Sequence, residues 1–285
     1  MRLLFLLLVV APAGCTRPVA LPATPVLAQP SPNRFDPATS GAVRGRVVWV
    51  GERPTVPVIP AAIPDGTGFR LGSKPNPFAP AITDGVLAGV VVSLVGDGLG
   101  ATKPWPFPLV TVEQADHELR VKQGDSTAAA GIARVGDAVT VVSRDPGPAT
   151  VRLRGAAFVT LPFPGPDKPT TRTFDKPGVV EVSSGTMLTW AACDLIVSDH
   201  PYHSVTGADG RFELTGVPPG EYQLTCRVRD WREVGRDRDP ETGLIARRRF
   251  APPVELSATV RVPERGAVEH TFTIEPTLFV RSPKR

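Results

Sequence analysis

The sequence predicts an all-β protein, and three observations carry this prediction. Proline and glycine, which interrupt helices, account for 33 and 27 of the 285 residues. From Val43 onward, apolar residues alternate with polar ones in short runs, and no stretch of a dozen residues keeps the spacing of an amphipathic helix. Turn-forming sequences such as residues 145–147 (Asp-Pro-Gly) separate these runs. The pattern is typical of an antiparallel sandwich or barrel.

Composition and charge exclude several classes of protein. The chain is 41% apolar and 21% charged, which is ordinary for a globular protein with a sizeable core. Its formal net charge of +4 is small and spread out, so we expect no nucleic-acid partner. The most basic segment, residues 227–249, interleaves arginines with acids. We interpret it as a solvated loop or hairpin extension, with a surface for an anionic partner as the alternative.

The N-terminus predicts export. An apolar run from Leu3 to Ala11 is too short to cross a bilayer, which takes about 20 residues, but suits a secretory signal peptide over residues 1–15. Its ending resembles a bacterial lipobox, in which Cys15 would be lipidated and become the mature N-terminus. Ordinary signal-peptidase cleavage is the alternative. Either outcome implies secretion across the inner membrane, and we favour a lipoprotein that faces the periplasm or cell surface and contacts the membrane through its lipid anchor.

The segment after the signal peptide predicts a tether. Residues 16–42 are rich in proline and show no strand or helix period, so we expect a semi-extended chain. Two cysteines remain beyond it, Cys193 and Cys226, both in apolar strand-like runs. An oxidising compartment permits a disulfide between them, and two buried free thiols are the alternative.

The folded part divides into strands and loops. Long loops are expected over residues 53–80 and 162–177. The apolar runs predict strands over residues 43–50, 86–95, 109–112, 119–121, 138–142, 149–153, 157–161, 178–182, 254–262 and 268–274.

The clearest local pattern lies in residues 205–226. Asp209-Gly210 predicts a tight hairpin turn, and Pro219-Gly220 suits the centre of a type II turn. Alternation then points one set of side chains inward: Phe212, Leu214, Tyr222, Leu224 and Cys226.

These residues carry a resemblance to a known family. Residues 206–214 (Thr-Gly-Ala-Asp-Gly-Arg-Phe-Glu-Leu) and 217–224 (Val-Pro-Pro-Gly-Glu-Tyr-Gln-Leu) resemble the carboxypeptidase regulatory-like domain, a transthyretin-like or carbohydrate-binding-like β-sandwich. With a β region that leads into it through Asp-His-Pro-Tyr at 199–202, the chain resembles bacterial cupredoxin-like envelope proteins of the methylamine-utilisation type. The resemblance implies a cupredoxin-like Greek-key domain over residues 43–198, a regulatory-like sandwich over 199–282 and a tail at 283–285.

The resemblance also implies where copper would bind. Such proteins hold copper through a thiolate, two imidazoles and a thioether. The corresponding positions here are Gly185, Leu188, Ala191 and Ala149, and none of these side chains can bind a metal ion. The resemblance therefore implies that the fold is kept without its copper, and we expect no cofactor. Met187 and Cys193 lie nearby as substitute ligands, but Cys193 belongs to a predicted strand.

One cluster of ligand-type residues remains. His200 and His203 lie beside Asp199, with Asp209 not far along the chain. This cluster is a candidate for metal binding or acid–base chemistry. Because Pro201 and the strand that follows make the segment a turn, a structural role is the default.

Two tryptophans are the candidates for ligand binding. Trp105 lies in a proline-rich loop and Trp231 beside the arginine-rich segment, where exposed rings could stack on sugars. The sequence contains no nucleophile-elbow, zinc-protease or phosphate-loop motif. We therefore predict a non-enzymatic, envelope-anchored binding or scaffolding protein whose partner is an envelope protein or a glycan. A carbohydrate-binding module is the first alternative, and a copper or electron-transfer protein with an atypical site is the second.

Overall fold

A computed structural model describes residues 35–97, 99 and 103–279 of the chain. The signal peptide, Cys15, most of the predicted tether and the tail at 283–285 lie outside these residues. Apart from one short 3-10 helix, the described residues form strands, turns and loops, so the all-β prediction is confirmed.

The strands fall into three groups along the chain. The first group comprises β1 (Gly41–Trp49), β2 (Ile59–Pro64), β3 (Phe69–Lys74), β4 (Ala81–Thr83), β5 (Val86–Ala88) and β6 (Val91–Val95). The second comprises β7 (Val110–Ala115), β8 (Glu118–Gln123), β9 (Ser126–Ala128), β10 (Ala130–Arg134), β11 (Val139–Ser143), β12 (Ala149–Gly155), β13 (Val159–Phe163), β14 (Thr170–Arg172), β15 (Gly178–Ser184) and β16 (Ala192–Ser198). The third comprises β17 (His203–Val205), β18 (Arg211–Val217), β19 (Gly220–Val228), β20 (Glu233–Arg238), β21 (Ile245–Phe250), β22 (Val254–Val262), β23 (Ala267–Ile274) and the 3-10 helix Pro276–Phe279.

Strand pairing assembles these groups into two sandwiches. The first and third groups form what we call the terminal sandwich: one sheet runs β18-β1-β5-β4, with β23 pairing parallel to β1, and the facing sheet runs β17-β6-β19-β22. The second group forms the inserted sandwich from the sheets β10-β16-β15-β12-β13 and β14-β11-β7-β8-β9. Each sandwich encloses its own large apolar cluster.

The two sandwiches do not follow the division of the chain at residue 198. Strand β1 pairs with β18 and β23, and β6 pairs with β19, so residues 41–95 complete the C-terminal sandwich rather than the cupredoxin-like region. The physical reason is burial: Val43 and Val47 of β1 are fully buried in the same apolar cluster as Phe212 and Ile274. The inserted sandwich therefore interrupts the terminal one between β6 and β17.

The two turns predicted in residues 205–226 both differ from the expectation, whereas the predicted burial of side chains is confirmed. Gly210 adopts a positive φ of 70°, as a tight turn requires. However, the turn joins β17 and β18, which pair in opposite sheets, so it forms an arch and not a hairpin. Gly220 is not among the glycines with positive φ, so its turn is not of type II. The five side chains predicted to point inward are all buried.

Two hairpins extend from the terminal sandwich. The predicted loop at 53–80 contains the hairpin β2–β3, whose residues Ile59 and Ala61 pack into the core of the inserted sandwich. The arginine-rich segment forms the hairpin β20–β21, in agreement with the hairpin extension that its sequence suggested. Arg247 of this hairpin pairs with Glu181 of β15 at 3.0 Å, which ties the hairpin to the inserted sandwich. None of the described residues forms a helix long and apolar enough to span a membrane.

Candidate binding site between the two sandwiches

The positions that the resemblance assigns to copper lie at one end of the inserted sandwich, which is filled with apolar side chains. We call this end the pole. Ala149, Leu188 and Ala191 are between 3% and 5% exposed and belong to one apolar cluster. A Cβ on Gly185 would lie 2.8 Å from the Cγ2 of Thr150, so this position leaves no room for a cysteine side chain. The residues at the pole therefore do not fit a copper ion.

Hydrogen bonds connect the loops at this end of the inserted sandwich. Buried Asp145 accepts from the Nε2 of Gln114 at 2.9 Å and from the backbone N–H of His117 at 3.2 Å. The indole of Trp190 donates to the carbonyl of His117 at 2.8 Å. Because these contacts join three loops, they hold the loop at 185–191 in place. Among the described residues, no three His, Cys, Asp or Glu side chains lie close enough together to hold a metal ion.

The two cysteines lie in different sandwiches. Cys193 is in β16 of the inserted sandwich and Cys226 in β19 of the terminal one, and both are free and fully buried. The alternative of two buried thiols is thus what the structure contains, and the disulfide is absent because each side chain packs into its own core. Burial raises the pKa of Cys226 to about 12 and raises that of Cys193 further, so both thiols stay protonated.

The histidine pair lies where the two sandwiches meet. The Nδ1 of His203 is 2.6 Å from the hydroxyl of Ser93 in β6, and its Nε2 is 2.7 Å from the hydroxyl of Ser198 in β16. Since the Ser198 hydroxyl donates to the carbonyl of His200, it accepts from Nε2–H, and the Ser93 hydroxyl donates to Nδ1. His203 therefore bridges one strand from each sandwich.

Burial decides the charge of this imidazole. His203 is 8% exposed, and burial, followed by the nearby His200, lowers its pKa to about 3. The two imidazoles stack with their centroids 4.6 Å apart, and burial also lowers the pKa of His200. A base this weak is poorly suited to proton transfer near neutral pH. In this structure the contacts of His203 link strands of the two sandwiches, and a role in metal binding or acid–base chemistry stays a prediction.

The two chain connections between the sandwiches touch each other. Tyr202, on the return connection, is fully buried and donates to the carbonyl of Gly216 at 3.0 Å. Lys103, on the outgoing connection, places its Nζ 5.1 Å from the centre of the Tyr202 ring and donates to the carbonyl of Thr215. The Asp-His-Pro-Tyr sequence is thus part of the joint between the sandwiches.

An ion pair between a buried aspartate and a mostly buried arginine also crosses between the sandwiches. Arg229, which follows β19, lies 2.8 Å from the carboxylate of Asp194 in β16, and its guanidinium lies 3.7 Å from the centre of the Phe78 ring. Burial raises the pKa of Asp194 and lowers that of Arg229. Removal from water destabilises both charged groups, and the attraction between the two opposite charges compensates for this cost. Perturbed titratable groups of this kind concentrate at binding sites as well as in structural pairs.

The tryptophan candidates are both packed against other side chains. Trp231 is 7% exposed and contacts Trp49 and Phe279, so a sugar ring cannot reach its face in this conformation. Trp105 is half-buried against Phe107 and packs on the small apolar cluster of Val91, Ile132 and Ile196 that joins the two sandwiches. Stacking of a sugar on Trp105 remains a prediction.

A crevice opens beside this joint. Its outer cleft has a volume of about 470 Å³ and is lined by Pro75 and Pro77, by strands β8 and β9 and by Trp190. An inner pocket of about 130 Å³ adjoins it, because Pro77 and Ala129 line both spaces. The inner pocket is mainly apolar, and its polar walls are Asp194, Arg227 and Arg229.

Sequence reasoning missed the residues of this crevice. Asp194 and Arg229 appear in the sequence as isolated charges next to apolar runs, and their pairing depends on the insertion of one sandwich into the other. The available signal was Asp194, a charged residue within an otherwise apolar strand, since buried charges are almost always paired. Pro75 and Pro77 lay in a segment predicted as loop, which carried no signal for a site.

Comparison with known proteins gives distant similarities only. No protein-family model matches the chain, and no curated protein matches it. Among solved structures, it is similar to a Cu-containing nitrite reductase from Thermus scotoductus SA-01, with 18% identity and a TM-score of 0.27, over 37% of this chain and 25% of that one. It is also similar to a purple cupredoxin from Nitrosopumilus maritimus, with 16% identity and a TM-score of 0.24, over 32% of this chain and 99% of that one. An amicyanin variant in its Cu(I) state matches with 18% identity and a TM-score of 0.25, over 38% of this chain and 98% of that one. The similarity to cupredoxins thus extends over about a third of the chain.

Proposed function

We propose that the protein is a non-catalytic binding or scaffolding protein of the cell envelope, and that it binds its partner in the crevice between its two sandwiches. The observation that carries this proposal is the crevice itself. Its outer cleft of about 470 Å³ lies within the usual range of ~300–1,000 Å³ for ligand pockets. Such pockets favour the junctions of domains and combine apolar walls with a few converging polar groups, as the inner pocket does.

The joint supports a scaffolding role. His203, the Asp194–Arg229 pair and the connection through Tyr202 each link one sandwich to the other. A crevice between two linked bodies keeps its shape before a partner arrives, which reduces the cost of ordering on binding. A lipid anchor at Cys15 and a tether that places this crevice away from the membrane belong to the same proposal.

Site-specific crosslinking in the native envelope tests the proposal. A photoreactive phenylalanine at Thr127, which is exposed and lines the outer cleft, should give a discrete crosslinked species. The matched control is the same group at Ala267, an exposed residue of β23 in the terminal sandwich. Equal crosslinking at both positions, or none at Thr127, would overturn the proposal.

A further inference from the structure

Among the residues that the structure describes, one strand edge in the outer cleft has no paired neighbour. On one side, β8 pairs with β7 along its whole length, from Glu118 to Gln123. On the other side, β9 pairs only with residues 121–123. The chain then leaves this sheet, because the carbonyl of Ala129 accepts from the N–H of Asp194 and β10 joins the opposite sheet. Residues 118–120 therefore present a free edge of about 10 Å at ~3.3 Å per residue.

This free edge faces the outer cleft. Residues 118–120 of β8 line the cleft together with Thr127 and Ala128 of β9 and with Pro75 and Pro77. Proline has no N–H, so these two prolines cannot donate to the free edge themselves. A free strand edge in a concave site is the geometry that an extended peptide uses when it adds a strand to a sheet.

The charges around the crevice favour an acidic occupant. At the mouth, Arg120 and Lys74 both approach the single carboxylate of Glu118, at 2.6 and 3.6 Å, which leaves one positive charge in excess. The polar walls of the inner pocket are two arginines, Arg227 and Arg229, and one carboxylate, that of Asp194. Glu255, which pairs with Arg227, is 64% exposed and does not line the pocket. An entering carboxylate would therefore meet more positive than negative charge on these walls.

We infer that the crevice binds an extended acidic peptide segment of a partner protein, which pairs as an added strand with residues 118–120 of β8. The peptide alternates apolar and acidic side chains. One of its acidic side chains enters the inner pocket past Ala129 and faces Arg227 and Arg229. This inference rests on the proposed function, because it names the class of partner that the same crevice takes.

Selection from a phage-displayed library of random twelve-residue peptides, against the purified protein, tests the inference. We expect the enriched sequences to carry Asp or Glu alternating with apolar residues. Fluorescein-labelled copies should bind at least tenfold more weakly to the Arg120→Glu and Ala129→Phe variants. Both residues are exposed, so these variants should fold. Arg211→Glu, at an exposed arginine of β18 away from the crevice, should change the affinity less than twofold.

Hydrogen exchange then tests the strand addition itself. Bound peptide should slow exchange of backbone amides within residues 118–120, and a copy of the peptide N-methylated at alternate residues should not bind. An empty selection, enriched peptides that are basic, or peptides that bind Ala129→Phe as well as the parent protein would overturn the inference. If crosslinking from Thr127 still captures a partner in that case, the proposed function stands and only the peptide class is wrong. If crosslinking fails as well, both proposals fall.

Discussion

The pole of the inserted sandwich and the crevice at its junction differ in how they use polar residues. At the pole, the positions that would hold copper are small or aliphatic side chains in a continuous apolar cluster. At the junction, an aspartate and two arginines from distant parts of the chain line one pocket, and an imidazole bridges a strand from each sandwich. The contrast teaches that two regions of one sheet structure can differ sharply in polarity, and it is the reason that our proposal places binding at the junction.

The largest effect should come from the ion pair between Asp194 and Arg229. Arg229→Met leaves the carboxylate of Asp194 buried without its partner, which should lower the free energy of unfolding by about 3–5 kcal/mol. Urea denaturation measures this loss. The double variant with Asp194→Leu should recover most of the stability, because no charge is then left buried. As a control, Arg44→Met breaks an exposed pair with Glu213 and should cost less than about 1 kcal/mol. A loss from Arg229→Met no larger than that from Arg44→Met would contradict our description of the junction.

The pole should respond as a hydrophobic core does. Leu188→Ala removes a buried side chain and should lower the free energy of unfolding by about 2–5 kcal/mol, measured by the same method. Met187→Ala, at the neighbouring residue that is 42% exposed, should stay within about 0.5 kcal/mol of the parent protein. If neither variant lowered the free energy of unfolding, the pole would not be packed as described.

The histidine bridge should make stability depend on pH. The folded-state pKa of His203 is about 3, below the ordinary value of 6.5, so the unfolded chain takes up a proton that the folded chain does not. The stabilisation that neutral His203 provides is fully present above pH 6.5 and is lost as the pH falls toward 3. Over this range the free energy of unfolding should fall by up to ~1.4 kcal/mol per pH unit.

The variant His203→Gln isolates this contribution. At pH 7.5 it should be about 1–3 kcal/mol less stable than the parent protein, because the hydroxyls of Ser93 and Ser198 lose their shared partner. The difference should narrow as the pH falls from 6.5 to 4.5 in paired urea denaturation series. A difference that stays constant over this range would mean that His203 does not remain neutral in the folded protein.

The smallest effect expected is that of copper. Protein incubated with Cu(II) and then desalted should contain no stoichiometric copper and show no intense thiolate-to-copper absorption, because the pole offers hydrocarbon and Cys193 keeps its proton. Metal analysis and visible absorption measure both quantities. Stoichiometric copper together with that absorption band would show that the pole binds a metal ion, and would contradict the difference that we describe between the pole and the crevice.

The existence of most strands could be predicted from the sequence, but their partners could not. Alternation marks β1 as a strand with Val43 and Val47 on one face, because side-chain direction follows from neighbouring residues alone. Its pairing with β23, near the other end of the described chain, depends on contacts between residues far apart in sequence. Local patterns do not determine such contacts, so the insertion of one sandwich into the other stayed hidden.

Of the candidate site regions, only the apolar residues of the pole could be predicted from the sequence. The apolar identity of residues 149, 188 and 191 could be stated from the sequence, given the alignment that the resemblance supplied. Trp231 reads as an exposed loop residue because its neighbours are charged, yet Trp49 and Phe279 from other parts of the chain bury it. The free edge of β8 likewise depends on where β9 leaves the sheet, which no sequence period encodes.

Quantitative recovery of the envelope partner crosslinked from Thr127, in two matched variants, tests the central claim most directly. Ala129→Phe fills the crevice, whereas Met187→Glu places a charge on the exposed surface of the pole. We expect recovery to fall at least tenfold with Ala129→Phe and to remain within twofold of the parent protein with Met187→Glu. The reverse result, in which Met187→Glu abolishes recovery and Ala129→Phe does not, would place the binding site at the pole and contradict this account.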